Sequence, residues 1–181
     1  MMDTKRIKEA QQNFAHYLQD GLIKKEKNAT AKAMYIKSAD LSLNLAEECM
    51  NSSLNPYIWV VVISYYSMFY IANSVLLELG YKTGDKVVHK VTNDALIVLV
   101  MDKIKKGLLE DYENAKEDAS EIASIKSDEI IGLYGLELSK RSRFQYEMTE
   151  SIQEQKANTS LKRARQFMLE MKKLLPLSKK S

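Results

Sequence analysis

The stretch that decides the fold runs Ser64-Tyr65-Tyr66-Ser67-Met68-Phe69-Tyr70-Ile71-Ala72-Asn73-Ser74-Val75-Leu76-Leu77-Glu78-Leu79-Gly80-Tyr81. Apolar and small residues occupy every side of its 3.6-residue period, the pattern of a helix surrounded by neighbours rather than one lying on a surface. Pro56 suits a first turn and Gly80 a stop, so the spacing predicts a helix over about 56–79 at the centre of a bundle. Tyr65, Met68, Phe69, Ala72 and Leu76 form one stripe and should be core. Tyr66, Tyr70 and Asn73 fall on another face, where they can line a cleft or a subunit interface. A membrane span of this length is the competing reading. Against it, Ser64, Ser67, Asn73, Ser74 and Glu78 interrupt the apolar run, and the aromatic residues lie along its length rather than at its two ends. No membrane association is expected.

Outward from this helix the chain reads as more helices. Asp3 can cap a first one over about 4–24, weakened near Gly21, and Lys24-Lys25-Glu26-Lys27-Asn28 reads as a solvated turn. Asn28 or Thr30 starts a second, to about 51. Asp85 should cap a fourth that Gly107 stops, a fifth covers about 108–125, and Ser127 begins a sixth to about 147. Ser151-Ile152-Gln153-Glu154 is a capping box for a seventh, and Pro176 lies beyond it. The expected architecture is all-α, an up-and-down bundle of five to seven helices. Its domain organisation reads as a helical extension over 1–29, a bundle over 30–176 and a disordered tail over 177–181.

Composition agrees. Six Gly and two Pro in 181 residues leave few turns, and no evenly spaced short strands are marked by turn signals. The length suits one domain with a proper core. A net charge of +3 is too small to imply nucleic acid by itself. The single Cys49 rules out an internal disulfide or a cysteine-based metal site, and the amphipathic start Met1-Met2-Asp3-Thr4-Lys5-Arg6 is unlike a signal core, so a cytoplasmic protein is expected.

No Gly-rich phosphate loop, His-Glu-x-x-His, nucleophile elbow or Cys/His cluster is present, and neither cofactor nor metal is expected. The acidic run Glu110, Asp111, Glu113, Glu117, Asp118 and Glu121 has no recognised ligand spacing and reads as a solvated face. Two candidates remain: His89, and the segment Lys140-Arg141-Ser142-Arg143-Phe144-Gln145-Tyr146-Glu147.

The helix Ser64-Tyr65-Tyr66-Ser67-Met68-Phe69-Tyr70 with its closing Leu79-Gly80-Tyr81 resembles the HEPN superfamily of small prokaryotic helical proteins. The likeness is to a branch that carries Ser-Tyr-Tyr-Ala-Met-Phe and, later, Arg-x-x-x-Asp-Tyr. It covers about residues 30–175. On that second motif Arg141 falls on the Arg, Gln145 on the Asp and Tyr146 on the Tyr, with Arg143 beside them. The resemblance implies a homodimer, with a small nucleotidyltransferase as partner in a toxin–antitoxin type of pair, and a site at the subunit junction that binds nucleotide or RNA or, in many members, cuts RNA without metal. Apolar residues for a subunit contact include Ile130, Ile131, Leu133 and Leu136. His89 follows the Gly-Tyr, as a His often does in relatives, though at a longer distance.

The chain departs from the family where the chemistry usually sits. The histidine that in many members of the family follows the Arg by four to six residues is missing, and the aspartate of the Arg-x-x-x-Asp-Tyr form is replaced by Gln145. An arginine fork can bind two phosphate oxygens, but a tyrosine is a weak base near neutral pH. The expectation is therefore a binding or interaction module at Arg141, Arg143, Gln145, Tyr146 and His89. A metal-independent endoribonuclease using Arg141 and Tyr146 is the alternative. The bland reading stays open too: Arg141 and Arg143 complement a helix C-terminus, Tyr146 anchors a turn, and His89 is a half-exposed first-turn residue.

Overall fold

The computed structural model describes the backbone of residues 2–132 and 150–176 and the side chains of 2–122 and 150–176. In chain order the elements are α1 (Thr4–Gln19), β1 (Ile23–Lys25), α2 (Ala29–Met50), α3 (Tyr57–Glu78), β2 (Tyr81–Thr83), α4 (Val88–Val100), a 3-10 turn (Met101–Lys103), α5 (Lys106–Gly132) and α6 (Glu150–Lys172). The fold is an all-α bundle, as the sequence predicts. Among the described residues it adds an antiparallel pair in which Ile23 lies opposite Thr83 and Lys25 opposite Tyr81.

Helix α3 is the axis. Val60, Met68, Ile71, Ala72, Val75 and Leu76 have no accessible surface, and α2, α4, α5 and α6 all pack against it. It is the one described helix long and apolar enough to cross a membrane, yet most of it is buried inside the protein, as a core helix is. The main core gathers Ala10, Phe14 and Tyr17 of α1 with Tyr112 of α5 and Phe167 of α6, so the N-terminal helix shares the core of the bundle. A smaller cluster joins Ala46, Tyr57, Val61, Ile122 and Leu161 at the other end. Asp3 and Asn28 cap α1 and α2 by accepting from the Arg6 and Ala31 amides at 2.7 and 2.9 Å.

Several boundaries differ from the sequence expectation, each for a local reason. Helix α1 ends at Gln19, not near 24, because Gly21 turns the chain at φ +70°. The lysine run then enters β1 instead of remaining a solvated turn. Asp85 does not cap α4; the helix opens at Val88 after Val87, held at φ 45°. Gly107 does not stop it either. The break comes at the 3-10 turn and at Ile104, which is extended at φ −134°, ψ 167°, and Gly107 sits in the first turn of α5. Helix α5 passes through Ser127 without interruption to Gly132, since one Ser among good helix formers costs only tenths of a kcal/mol.

The acidic face of α5 is not simply solvated. Asp111 and Asp118 accept from the Arg163 guanidinium at 3.1 and 3.3 Å, tying α5 to α6. Glu113 takes Arg6 at 2.9 Å and Asn93 at 2.8 Å. Asp94, buried on α4, accepts from Arg6 at 2.7 Å, Asn13 at 2.9 Å and Tyr17 at 2.9 Å. A buried carboxylate with three donors is satisfied, and here it fastens α1 to the bundle. Burial, followed by the bond to Asp94, pushes the Tyr17 phenol well above its usual range.

Candidate functional site

His89 is the second residue of α4, and α3 presents Tyr65 to it. The Tyr65 hydroxyl lies 2.7 Å from His89 Nδ1. Burial and the nearby Lys116 ammonium hold the imidazole below its usual pKa, so it is neutral at pH 7. Burial raises the Tyr65 phenol, which keeps its proton. Two arrangements satisfy the contact: the phenol donates to Nδ1 and the ring's proton sits on Nε2, or Nδ1–H donates to the phenol oxygen and Nε2 is left as an acceptor. Behind Tyr65, the Tyr112 hydroxyl is fully buried. It feels the Tyr65 hydroxyl electrostatically but reaches no partner in hydrogen-bond geometry.

Rings surround this pair. Phe69 lies 4.5 Å from the His89 ring centroid, and Tyr66 meets it edge-on at 5.9 Å. Tyr66 continues to Tyr70 at 5.9 Å, and Tyr70 stacks on Tyr35 of α2 at 6.2 Å and 30°. Phe69 is buried below, whereas Tyr66 is 38% exposed and Tyr35, Tyr70 and His89 are half-buried. The result is a row of rings along the surface between α2 and α4. Cations stand at both ends: Lys82 acts electrostatically on Tyr35, and Lys116 on His89. Lys82 is also paired with Glu26 at 2.8 Å, whereas Lys116 has no carboxylate partner among the described residues.

Further large apolar side chains are exposed on α2 and near the start of α3. Asp40 and Glu47 mark the edge of α2 that meets α6, through Lys172 and Arg165. Tyr35 lies on the other edge, and the exposed Met34, Leu41 and Leu45 fall in a sector of about 40° on the side of α2 away from the buried Ala39 and Ala46. On α3 the outward positions are Trp59, Ile63, Tyr66 and Tyr70, with Trp59 55% exposed.

Of the residues the sequence singles out, His89 is brought together with Tyr65, Tyr66 and Phe69, and Tyr70 adjoins Tyr66. Arg141, Arg143, Gln145 and Tyr146 lie outside the described residues, as do Leu133 and Leu136 and the side chains of Ile130 and Ile131. Asn73 does not line a cleft. It is buried, donates to the Phe69 carbonyl at 2.9 Å and accepts from Thr83 at 2.8 Å. No group of three or more His, Cys, Asp or Glu suited to a metal occurs among the described residues. Tyr35 and Lys116 are not marked in the sequence, because residues on separate helices carry no local signal of their meeting. Comparison of the chain with protein-family models, curated proteins and solved structures finds no match.

Proposed function

We propose that this chain is a HEPN-like interaction or nucleotide- and RNA-binding module. On this reading it acts as a cytoplasmic homodimer, and a small nucleotidyltransferase is its candidate partner in a toxin–antitoxin type of pair. The observation that carries the proposal is the surface built by α3 and α4. Where the family-like helix leaves the core, it presents Tyr66 and Tyr70 beside a neutral imidazole, with Lys116 adjacent. Aromatic faces and unpaired ammonium groups suit bases and phosphates. Arg141 and Arg143 would add phosphate contacts.

The alternative is a metal-independent endoribonuclease, and one observation favours it. His89 is neutral, and in the tautomer whose Nδ1–H donates to the Tyr65 oxygen its Nε2 lone pair is free to take a proton, which is how a general base is commonly held. It could thus supply the proton acceptor that the Arg141 segment lacks. Purified protein incubated with total RNA and single-stranded oligonucleotides, with and without chelator, separates the two. Binding without cleavage supports the module. Chelator-resistant cleavage lost in both Arg141→Ala and His89→Ala establishes the nuclease, and absence of both binding and cleavage rejects the nucleic-acid assignment.

A further inference from the structure

We infer that the ring row Tyr35–Tyr70–Tyr66–His89 is a stacking platform for the unpaired bases of a single-stranded nucleic acid, with Lys82 and Lys116 placed to meet its phosphates. The inference rests on the nucleic-acid reading above but locates binding on residues separate from the Arg141 segment.

Three features support it. First, adjoining rings in the row lie 5.9–6.2 Å apart, the span over which aromatic groups contact one another, and the row is continuous across two helices and the start of a third. Second, the row is held from beneath. Phe69 is buried against Tyr66, Tyr70 and His89, and Tyr65 fixes the imidazole through Nδ1. A platform fixed in this way loses little freedom when a base settles on it. Third, Val87 holds a left-handed backbone at φ 45° immediately before α4, a costly conformation for a β-branched residue. That turn leads directly into the first turn of α4, where His89 completes the row. Stacking needs only a π-face, so binding should tolerate any base sequence, and the sugar should matter little. Asp85 and Glu26 near Lys82 weaken the charge at the Tyr35 end, which makes Lys116 the stronger phosphate contact.

The test is fluorescence anisotropy of the full chain with labelled oligo(U) RNA and oligo(dT) DNA, each about 12 nucleotides long, beside a duplex of the same length. Single strands of both sugars should bind better than duplex. Tyr66→Ala should weaken binding on the order of tenfold, whereas Tyr66→Phe, which keeps the ring face, should stay within about twofold of wild type. Lys116→Ala should lower the slope of log affinity against log salt by about one. Melting followed by circular dichroism confirms that Tyr66→Ala is folded. If Tyr66→Ala binds like wild type while Arg141→Ala does not, the platform is wrong and the nucleic-acid reading stands. If wild type binds none of the three probes, both fall. Loss of self-association in Tyr66→Ala with unchanged oligonucleotide binding would assign this surface to a second copy of the chain and overturn the inference.

Discussion

Phe69, His89 and Asp94 show how differently single residues announce themselves. Phe69 is legible, because its place in the Tyr65-Met68-Phe69-Ala72-Leu76 stripe predicts burial and it is 6% exposed. It also supports Tyr65, Tyr66, Tyr70 and His89 at once. Phe69→Ala should therefore cost about 3–5 kcal/mol in a denaturant titration, by opening a cavity that the rings above cannot fill. Asp94 is not legible. Within Thr92-Asn93-Asp94-Ala95 it looks like a surface residue, and only the approach of α1 turns it into the acceptor for Arg6, Asn13 and Tyr17. Asp94→Ala should destabilise by about 1–3 kcal/mol, because the buried Tyr17 hydroxyl and the half-buried Asn13 amide lose their acceptor while Arg6 keeps only Glu113. His89 gives a pH dependence whose sign is fixed. Its folded pKa lies below the ordinary value near 6.5, so the unfolded chain takes up the proton first as pH falls. Stability should be level above pH 7 and decline as the pH drops through about 6.5 towards the folded pKa. Thermal melts of His89→Gln, which has no titrating group at that position, should show a smaller decline over the same interval.

At the scale of elements, the starts of α1 and α2 were readable because an Asp or Asn before an amphipathic run has a single mechanical use there, and both side chains cap as expected. The glycines were ambiguous, since Gly80 and Gly107 look alike in sequence and differ only in backbone. Gly80 follows α3 at φ +86°, a region that side chains resist. Gly107 lies within helix α5 with nothing within 4 Å of an added Cβ. Gly80→Ala should lose about 1–2 kcal/mol, while Gly107→Ala should gain up to about 1 kcal/mol. Paired chemical-denaturation curves will show the opposite signs. Val87 is the converse case, a β-branched residue at φ 45° with an exposed side chain. Val87→Gly should raise stability by relieving that strain, by about 1 kcal/mol or less once the freer unfolded chain is counted. The β1–β2 pair could not be foreseen, because three-residue strands are too short to show a period of two. Only the Gly21 and Gly80 turns bring Ile23 and Thr83 face to face.

For the whole molecule, the all-α bundle followed from scarce Gly and Pro and from one helix apolar on every side, both global properties of the chain. The candidate site was half legible. The aromatic helix marked its own outward face, but the convergence of Tyr35, Tyr66, Tyr70 and His89 depends on how three segments pack, which no local pattern records. The surface left over argues for self-association. Met34, Leu41 and Leu45 share one outward sector of α2 and Trp59 is exposed near the start of α3, apolar surface of the kind that marks a protein contact. Leu41, Leu45 and Trp59 mark the end of these two helices away from the ring row. A two-fold interface needs a self-complementary patch, and this end carries no described carboxylate–ammonium pair that would have to be broken to form one. Light scattering at tens of micromolar should give twice the monomer mass of 20.8 kDa. Leu41→Glu with Trp59→Glu should halve it without lowering the helical signal, because both side chains are exposed in the single chain. A clean monomer for the unaltered protein at that concentration rules out the dimer. A dimer that survives both substitutions places the interface on another face and leaves this one to a different partner.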